Sequence, residues 1–465
     1  MSIVSSTATD ARARASAAAS AIGNAPFLQD LVSSITERGR ALLSIAGLQQ
    51  PAATTGADLL DHCEAVLSGR GEATGTAMAS EILADYARLP ANERRAFFAG
   101  LVRAFGPDRA RIAKAVADLD APDGDPADVH YASEPRRLEL FRRLNRAPNG
   151  TRALVAMRAD LLDMIPDEPT LAAVDRDFRH LLASWFNRGF LVLQRIDWSA
   201  PAAVLEKIIR YEAVHAIHDW DDLRRRVENI DRRCYAFFHP AMIDEPLIFV
   251  EVALTETIPA AVGPLLARDR AHVSPERART AVFYSISNCQ KGLAQVTFGN
   301  FLIKQVVEEI RRELPKIDTF VTLSPVPGFR KWLAGTKETI PDPASRALVD
   351  RLDEPDWIND AELVERMRKL LEPIAAHYFL KAKGRGGKPV DPVARFHLGN
   401  GARLEQIDWL GDVSTKGLRE SAGLMVNYRY VIDDIEKNHE AFANESAVVA
   451  SPAVKKLLKT DPIKA

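Results

Sequence analysis

Apolar positions in the first part of the chain recur at helical spacing. Leu59, Leu60, Cys63 and Leu67 share one helical face, as do Phe97, Leu101, Val102 and Phe105. This pattern holds from Pro26 to about Asn187. Turn-rich breaks such as "APDGDP" and "APNG" divide it, and no β-branched alternating run interrupts it. The pattern predicts a helical bundle over residues 23–188. Asp61, His62 and Glu64 are expected to form the solvated face of one of its helices rather than a site.

At "GFLVLQRIDW" the pattern changes. Strand-like runs follow: "FLVLQRI", "CYAFF", "PLIFVEVAL", "AVFYSIS", "IDTFVTL", "ARFHL" and "GLMVNYRY". Amphipathic helices lie between several of them, at 301–314 and 361–379. Strands alternating with helices imply a sheet covered by helices, so residues 189–465 are expected to form a second domain around a mixed central sheet. The fold class is α+β in two domains. Residues 1–22, rich in Ala, Ser and Thr, are expected to be a disordered tail, because Asp10 and the low positive charge argue against a transit peptide.

Composition narrows the function classes. With 465 residues, 47% hydrophobic, 27% charged and a net charge of −2, the chain has no global basic field to recruit nucleic acid or an anionic membrane. Cys63, Cys234 and Cys289 show no CxxC spacing, which argues against a zinc cluster or a disulfide framework and fits a reducing compartment. No apolar stretch approaches the roughly 20 residues of a membrane span. The expected location is cytoplasmic.

Three places carry candidate chemistry. "AVFYSISNCQKGLAQVTFGNFLIK" reads as strand, glycine-bearing loop and helix, with Gly299 and Asn300 where the helix opens. Free N–H groups at a helix start can hold phosphate, although a glycine at a strand–helix turn is more often plain turn geometry. "TLSPVPGFRKWL" ends an apolar strand at Ser324, fenced by Pro325 and Pro327, which cannot continue a sheet ladder. His397 in "ARFHLGNG" is expected on a short strand before a turn, and reads as either a half-buried structural histidine or a proton carrier. The basic loop "KAKGRGGKP", residues 381 to 389, reads as mobile and solvated, or as a source of cations for a nucleotide phosphate. His215 and His218 have a spacing that metal ligands use, but no third ligand stands near them, so no metal is expected.

The segment from about Gly189 to Tyr430 resembles the malonyl-CoA decarboxylase family. The matching stretches are "EAVHAI", "FYSIS", "GNFLIK", "LSPVPGF", "DPVARFH" and "GLMVNYRY", in family order. The resemblance implies a catalytic domain similar to the GNAT acyltransferase fold and conversion of malonyl-CoA to acetyl-CoA and carbon dioxide. It also implies a homo-oligomer, dimer or tetramer, working without metal or organic cofactor. It places the catalytic serine on Ser324, the catalytic histidine on His397 and a further functional position on Tyr430. The acyl-CoA loop falls on Ala294, Gln295, Val296, Thr297, Phe298, Gly299 and Asn300. Where family members place a glutamate in this loop, this chain has Thr297, whose hydroxyl cannot replace a carboxylate's charge.

The implied chemistry needs no external electron sink, because the thioester carbonyl receives the electrons that carbon dioxide leaves behind. The enolate oxygen then needs preorganised donors and the methylene carbon needs a proton. By analogy of fold, "AVFYSIS" and "IDTFVTL" are expected to be adjacent parallel strands that splay apart around the acyl arm. Two other readings stand beside this one: an acyltransferase acting on an amine, which would use the same CoA loop but against which the "LSPVPGF" and "ARFHLGNG" pair speaks, and a CoA-binding scaffold without turnover.

Overall fold

The computed structural model describes residues 25–69, 71–121, 124–296 and 302–463. The tail expected over 1–22 lies outside the described residues, as do Thr297, Phe298, Gly299 and Asn300 of the expected acyl-CoA loop. The chain divides into two compact units. One holds the chain through Val192 together with Phe237–Leu247 and the segment that begins at Cys289. The other holds Leu193–Ala236, Ile248–Asn288 and the carboxyl-terminal remainder.

The first unit is helical, from Ala25–Ile45 to Ala172–Trp185. Some of its helices start where a short polar side chain takes the orphan amides. Thr55 and Asp58 form a reciprocal capping box, and Asp108 and Asp125 accept first-turn amides of the helices Arg109–Asp118 and Pro126–Ser133. The stripes read from sequence pack inward: Leu59, Cys63, Phe97, Leu101 and Phe105 are fully buried, and Phe141 stacks on Phe178 at 4.1 Å.

One expectation fails here. Asp61 and Glu64 face solvent, Glu64 pairing with Arg136 at 2.9 Å, but His62 is buried and lies 3.7 Å from Asp85. The reason is its phase. Leu59, His62, Cys63 and Val66 complete the i, i+3, i+4, i+7 stripe, so the imidazole belongs to the inward face.

The second unit is built on a seven-stranded mixed sheet in the order β1-β2-β3-β4-β5-β7-β6. The strands are β1 Val192–Ile196, β2 Arg232–Phe238, β3 Ile248–Thr255, β4 Thr280–Asn288, β5 Thr319–Pro325, β6 Arg403–Asp408 and β7 Met425–Arg429. β3 and β4 are antiparallel, β4 and β5 parallel, and β7 is antiparallel to both β5 and β6. Near-continuous burial along β2, β3 and β4 matches their mainly apolar composition and marks strands covered on both faces. The helix Leu302–Glu313 buries Leu302, Ile303, Val306, Val307 and Ile310, and the helix Ala361–Leu380 also supplies an apolar stripe.

Two elements differ from the sequence reading. "ARFHL" is not a strand: it lies in the helix Pro392–Gly399. Asp391 caps that helix by accepting the Ala394 amide at 2.7 Å, Pro392 sits at the first turn, and Gly401 at φ +81° follows the end. Cap and proline outweigh the short apolar alternation. The strand β6, "RLEQID", had no clear signal because its register slips between Leu404 and Gln406. The extra residue breaks the period of two on which strand recognition rests.

Candidate functional site

Four side chains from two strands meet a fifth from a helix. On β5, Thr322 and Ser324 are two residues apart and so point to the same face. On the neighbouring strand Tyr428 pairs with Thr322 in register, and Tyr430 continues the ladder, its amide donating to the Phe320 carbonyl at 2.9 Å. The helix Pro392–Gly399 brings His397 onto them. Its ring stacks on Tyr428, centroids 4.7 Å apart.

The polar atoms form one chain. The Ser324 hydroxyl donates to Thr322 Oγ1 at 2.9 Å, Ser324 Oγ lies 3.1 Å from His397 Nε2, and His397 Nδ1 lies 2.9 Å from the Tyr430 hydroxyl. All four residues are buried. Burial pushes the His397 imidazole down to about 3, so the ring is neutral through the neutral range. Burial also lifts the Tyr430 and Tyr428 phenols well above their ordinary value. The chain is uncharged in its resting state.

His397 is held from both ends of its helix. At the start, Asp391 is fully buried, accepts the Ala394 amide and also accepts from the Tyr378 hydroxyl at 3.2 Å. Burial raises its carboxyl group above the usual range. Past the end, the Ala402 amide donates to the His397 carbonyl at 3.1 Å, and His439 Nδ1 lies 2.7 Å from the Gly399 carbonyl.

Ser324 and His397 open onto a cavity of about 270 Å³ with largely apolar walls that include Val214, Ile286, Leu323, Val393 and Phe396. A bulge accounts for the opening. β4 and β5 pair only from Thr280/Thr319 to Phe283/Thr322, although both strands run further. At the next residue β4 also loses its register with β3: Val252 faces Phe283 and Glu251 faces Ser285, which leaves Tyr284 unpaired. A bulge bends its strand, and here it bends where β4 leaves β5. The insertion also lets the neighbours Phe283 and Tyr284 line the same cavity, with Ile286 and Asn288 following in phase. Across the gap stand Leu323, Ser324 and Pro325.

The sequence reading gave Glu212 no role. Its carboxylate accepts from the hydroxyls of Ser285 at 2.7 Å and Ser287 at 3.2 Å, and from the amides of Val214 and His215 at 2.8 Å. It ties the "EAVHAI" segment to β4 beyond the bulge and so sets Val214 in the cavity wall. Arg226 holds the same segment through the His215 carbonyl at 2.7 Å. The alternating serines of "SIS" were the available signal, since two hydroxyls on one face of a buried strand need a partner.

The other predicted residues are placed as follows. Ala294 and Gln295 are exposed and Val296 is buried, just after the short 3-10 turn Lys291–Leu293, and Gln295 has φ +63°. They group with the helical unit. His215 is buried while His218 is exposed.

Comparison with known proteins adds three findings. The family model described as malonyl-CoA decarboxylase C-terminal domain matches residues 189–465, and that of the N-terminal domain matches 105–186. Curated relatives named "malonyl-CoA decarboxylase, mitochondrial" include one from Anser anser anser, 38% identical over 81% of this chain and 82% of its own length. Another from Mus musculus is 34% identical over 79% and 82%. Among solved structures, malonyl-CoA decarboxylase from Rhodopseudomonas palustris superposes with a TM-score of 0.84 at 55% identity, covering 87% of this chain and 100% of that one. The Agrobacterium vitis protein gives 0.82 at 52%, covering 86% and 99%.

Proposed function

This chain belongs to the malonyl-CoA decarboxylase family of carboxy-lyases, and we propose that Ser324 and His397 carry out the conversion of malonyl-CoA to acetyl-CoA and carbon dioxide without metal or organic cofactor. The observation that carries this reading is the buried Ser324–His397–Tyr430 chain ending on an apolar cavity. Among the described residues lining that cavity there is no Lys, Arg, Asp or Glu.

The steps follow from that environment. The malonyl carboxylate enters a cavity whose polar groups are neutral donors. Its negative charge beside His397 favours the protonated ring, and one solvent proton is taken up. The bond between the carboxylate carbon and the methylene carbon breaks, carbon dioxide leaves, and the electron pair moves to the thioester oxygen. A donor held at that oxygen is worth about 3–4 kcal/mol in comparable sites. The imidazolium then gives its proton to the methylene carbon, which yields acetyl-CoA and restores the neutral ring. The acyl arm lies in the opening between β4 and β5, as in a GNAT-like domain, and the loop 294–300 holds the phosphates.

Finer points belong to the same proposal. The helical and catalytic domains meet at residue 188, and the protein assembles as a dimer or tetramer. It works in the cytoplasm and binds neither membrane nor nucleic acid. Among the described residues no helix is long and apolar enough to cross a membrane. Sizing by light scattering and cell fractionation test these points, the latter against the mitochondrial location in the relatives' names.

The direct test incubates purified protein with malonyl-CoA alone and follows acetyl-CoA by mass. Acetyl-CoA should form with no acceptor and at an unchanged rate under chelator. Activity lost to chelator and restored by one divalent metal would sink the cofactor-free mechanism. A strict requirement for an amine acceptor would favour the acyltransferase reading.

A further inference from the structure

We infer that Thr322 is a positioning residue that fixes the imidazole of His397 in the tautomer with its N–H on the cavity side. The inference rests on the proposed roles of Ser324 and His397 and extends them to a residue that lies behind the serine.

The reasoning is a count of protons along one buried chain. Ser324 has a single hydroxyl proton, and the heavy-atom geometry of its 2.9 Å contact with Thr322 Oγ1 assigns the serine as the donor. With the serine proton so assigned, the 3.1 Å contact between Ser324 Oγ and His397 Nε2 is bridged by a proton from the ring. A neutral imidazole carries one N–H. With that proton on Nε2, Nδ1 is bare and accepts from the Tyr430 hydroxyl at 2.9 Å. The whole chain then has one polarity: Tyr430 donates to Nδ1, Nε2–H donates to Ser324, and Ser324 donates to Thr322. Burial of the ring supports the neutral form in the resting state.

Polarity decides what the pair can do. A serine nucleophile needs Nε2 bare, so that it can take the hydroxyl proton. Here the serine proton is turned away from the ring and the ring's proton is turned toward the cavity wall. That arrangement offers an N–H where charge develops and suits proton delivery rather than acyl-enzyme formation. Thr322 has the geometry to hold it. It is fully buried, it lies two residues from Ser324 on the same face of β5, and its position is locked in register with both Phe283 and Tyr428.

Removing the acceptor while keeping the volume tests the idea. In Thr322→Val the serine proton loses its partner and turns to Nε2, and the ring proton moves to Nδ1. Turnover per folded molecule should fall roughly tenfold to a hundredfold, as misplaced catalytic groups do, with little change in KM. Thr322→Ser keeps an acceptor and should recover most of the rate. In 15N spectra of histidine-labelled protein, the His397 signals, assigned by their loss in His397→Asn, should report Nε2–H in the wild type and Nδ1–H in Thr322→Val. The wild-type spectrum tests the inference even if the valine variant fails to fold. An Nδ1–H wild type overturns it, as does a valine variant with wild-type turnover, or a serine variant as slow as the valine one. Failure of the Ser324/His397 reading is distinct: Ser324→Ala and His397→Asn would then keep normal turnover, whatever Thr322 does.

Discussion

In the helical unit Arg158 is fully buried, donating to Asp175 at 2.8 Å and to the Gly292 carbonyl at 2.7 Å. Arg137, also buried, pairs with Asp177 and donates to the Leu101 carbonyl. In the sheet unit Ser324, His397 and Tyr430 are buried too, but they form an uncharged series, and two of them open onto a cavity. The ion-paired charges are spent mainly on each other and do not line that cavity, although Arg158 Nη2 is buried without a hydrogen-bond partner among the described residues. A neutral chain ending on a cavity has hydrogen bonds that can be redirected to a ligand and a ring whose charge can change. Buried polarity thus marks stability in the ion pairs, which the sheet unit also has where Arg226 meets Glu251 at 3.2 Å, and chemistry in the neutral chain beside the cavity.

Substitutions can break that contrast. The largest effect is expected at His397. His397→Asn should lower turnover about 10²–10⁴-fold with a much smaller change in KM, the range for a placed acid–base group. Turnover per folded molecule and the unfolding midpoint must be measured on the same variant. A lowered midpoint with near-normal turnover would return His397 to a structural role.

Arg158→Met is the counterpart in the helical unit. It leaves Asp175 without its partner and should destabilise by about 3 kcal/mol or more, as breaking buried pairs does. Chemical denaturation reads that loss, and turnover of the surviving folded protein should not change. A variant of unaltered stability but reduced turnover would erase the distinction between ion pair and neutral chain.

Ser324→Ala should cost at least about tenfold in turnover, near 1.4 kcal/mol of barrier, with folding nearly intact. Equal turnover in the two proteins would remove the serine from the mechanism.

The last effect concerns acid. The folded His397 ring sits at about 3, below its unfolded value, so the unfolded chain binds the extra proton first as pH falls. Its share of stability is present above about pH 6.5 and is lost progressively toward pH 3. His215, lowered to about 4 by burial, adds to the same trend. His397→Asn should therefore flatten the decline in denaturation midpoint between roughly pH 6.5 and 4 without abolishing it. An identical slope would mean that the ring is not buried neutral.

Much of the fold was legible because continuous apolar runs and helical stripes are strong signals. β4, β5 and the two long helices lie where periodicity placed them. Elements whose periodicity is broken were not legible. A bulge hid β6, and an Asp-Pro start turned "ARFHL" into a helix. Ser324, His397 and Tyr430 were named by resemblance, and their convergence depends on pairing β5 with β7, which no local pattern encodes. Glu212 and Thr322 were passed over for a related reason. A carboxylate after a helix and a threonine in a strand look ordinary until the strand positions beside them are known.

The helix that carries His397 acts as a lever. Asp391 pins one end, and His397 stands six residues along, about 9 Å at the usual rise. Over that arm a tilt of only about 6° swings the ring by roughly 1 Å, enough to cost about a hundredfold in rate. Aim therefore depends on fastenings such as the Tyr378 hydroxyl at the near end and His439 at the far one. Loosening either would spoil the pointing of the imidazole well before it unfolded the sheet.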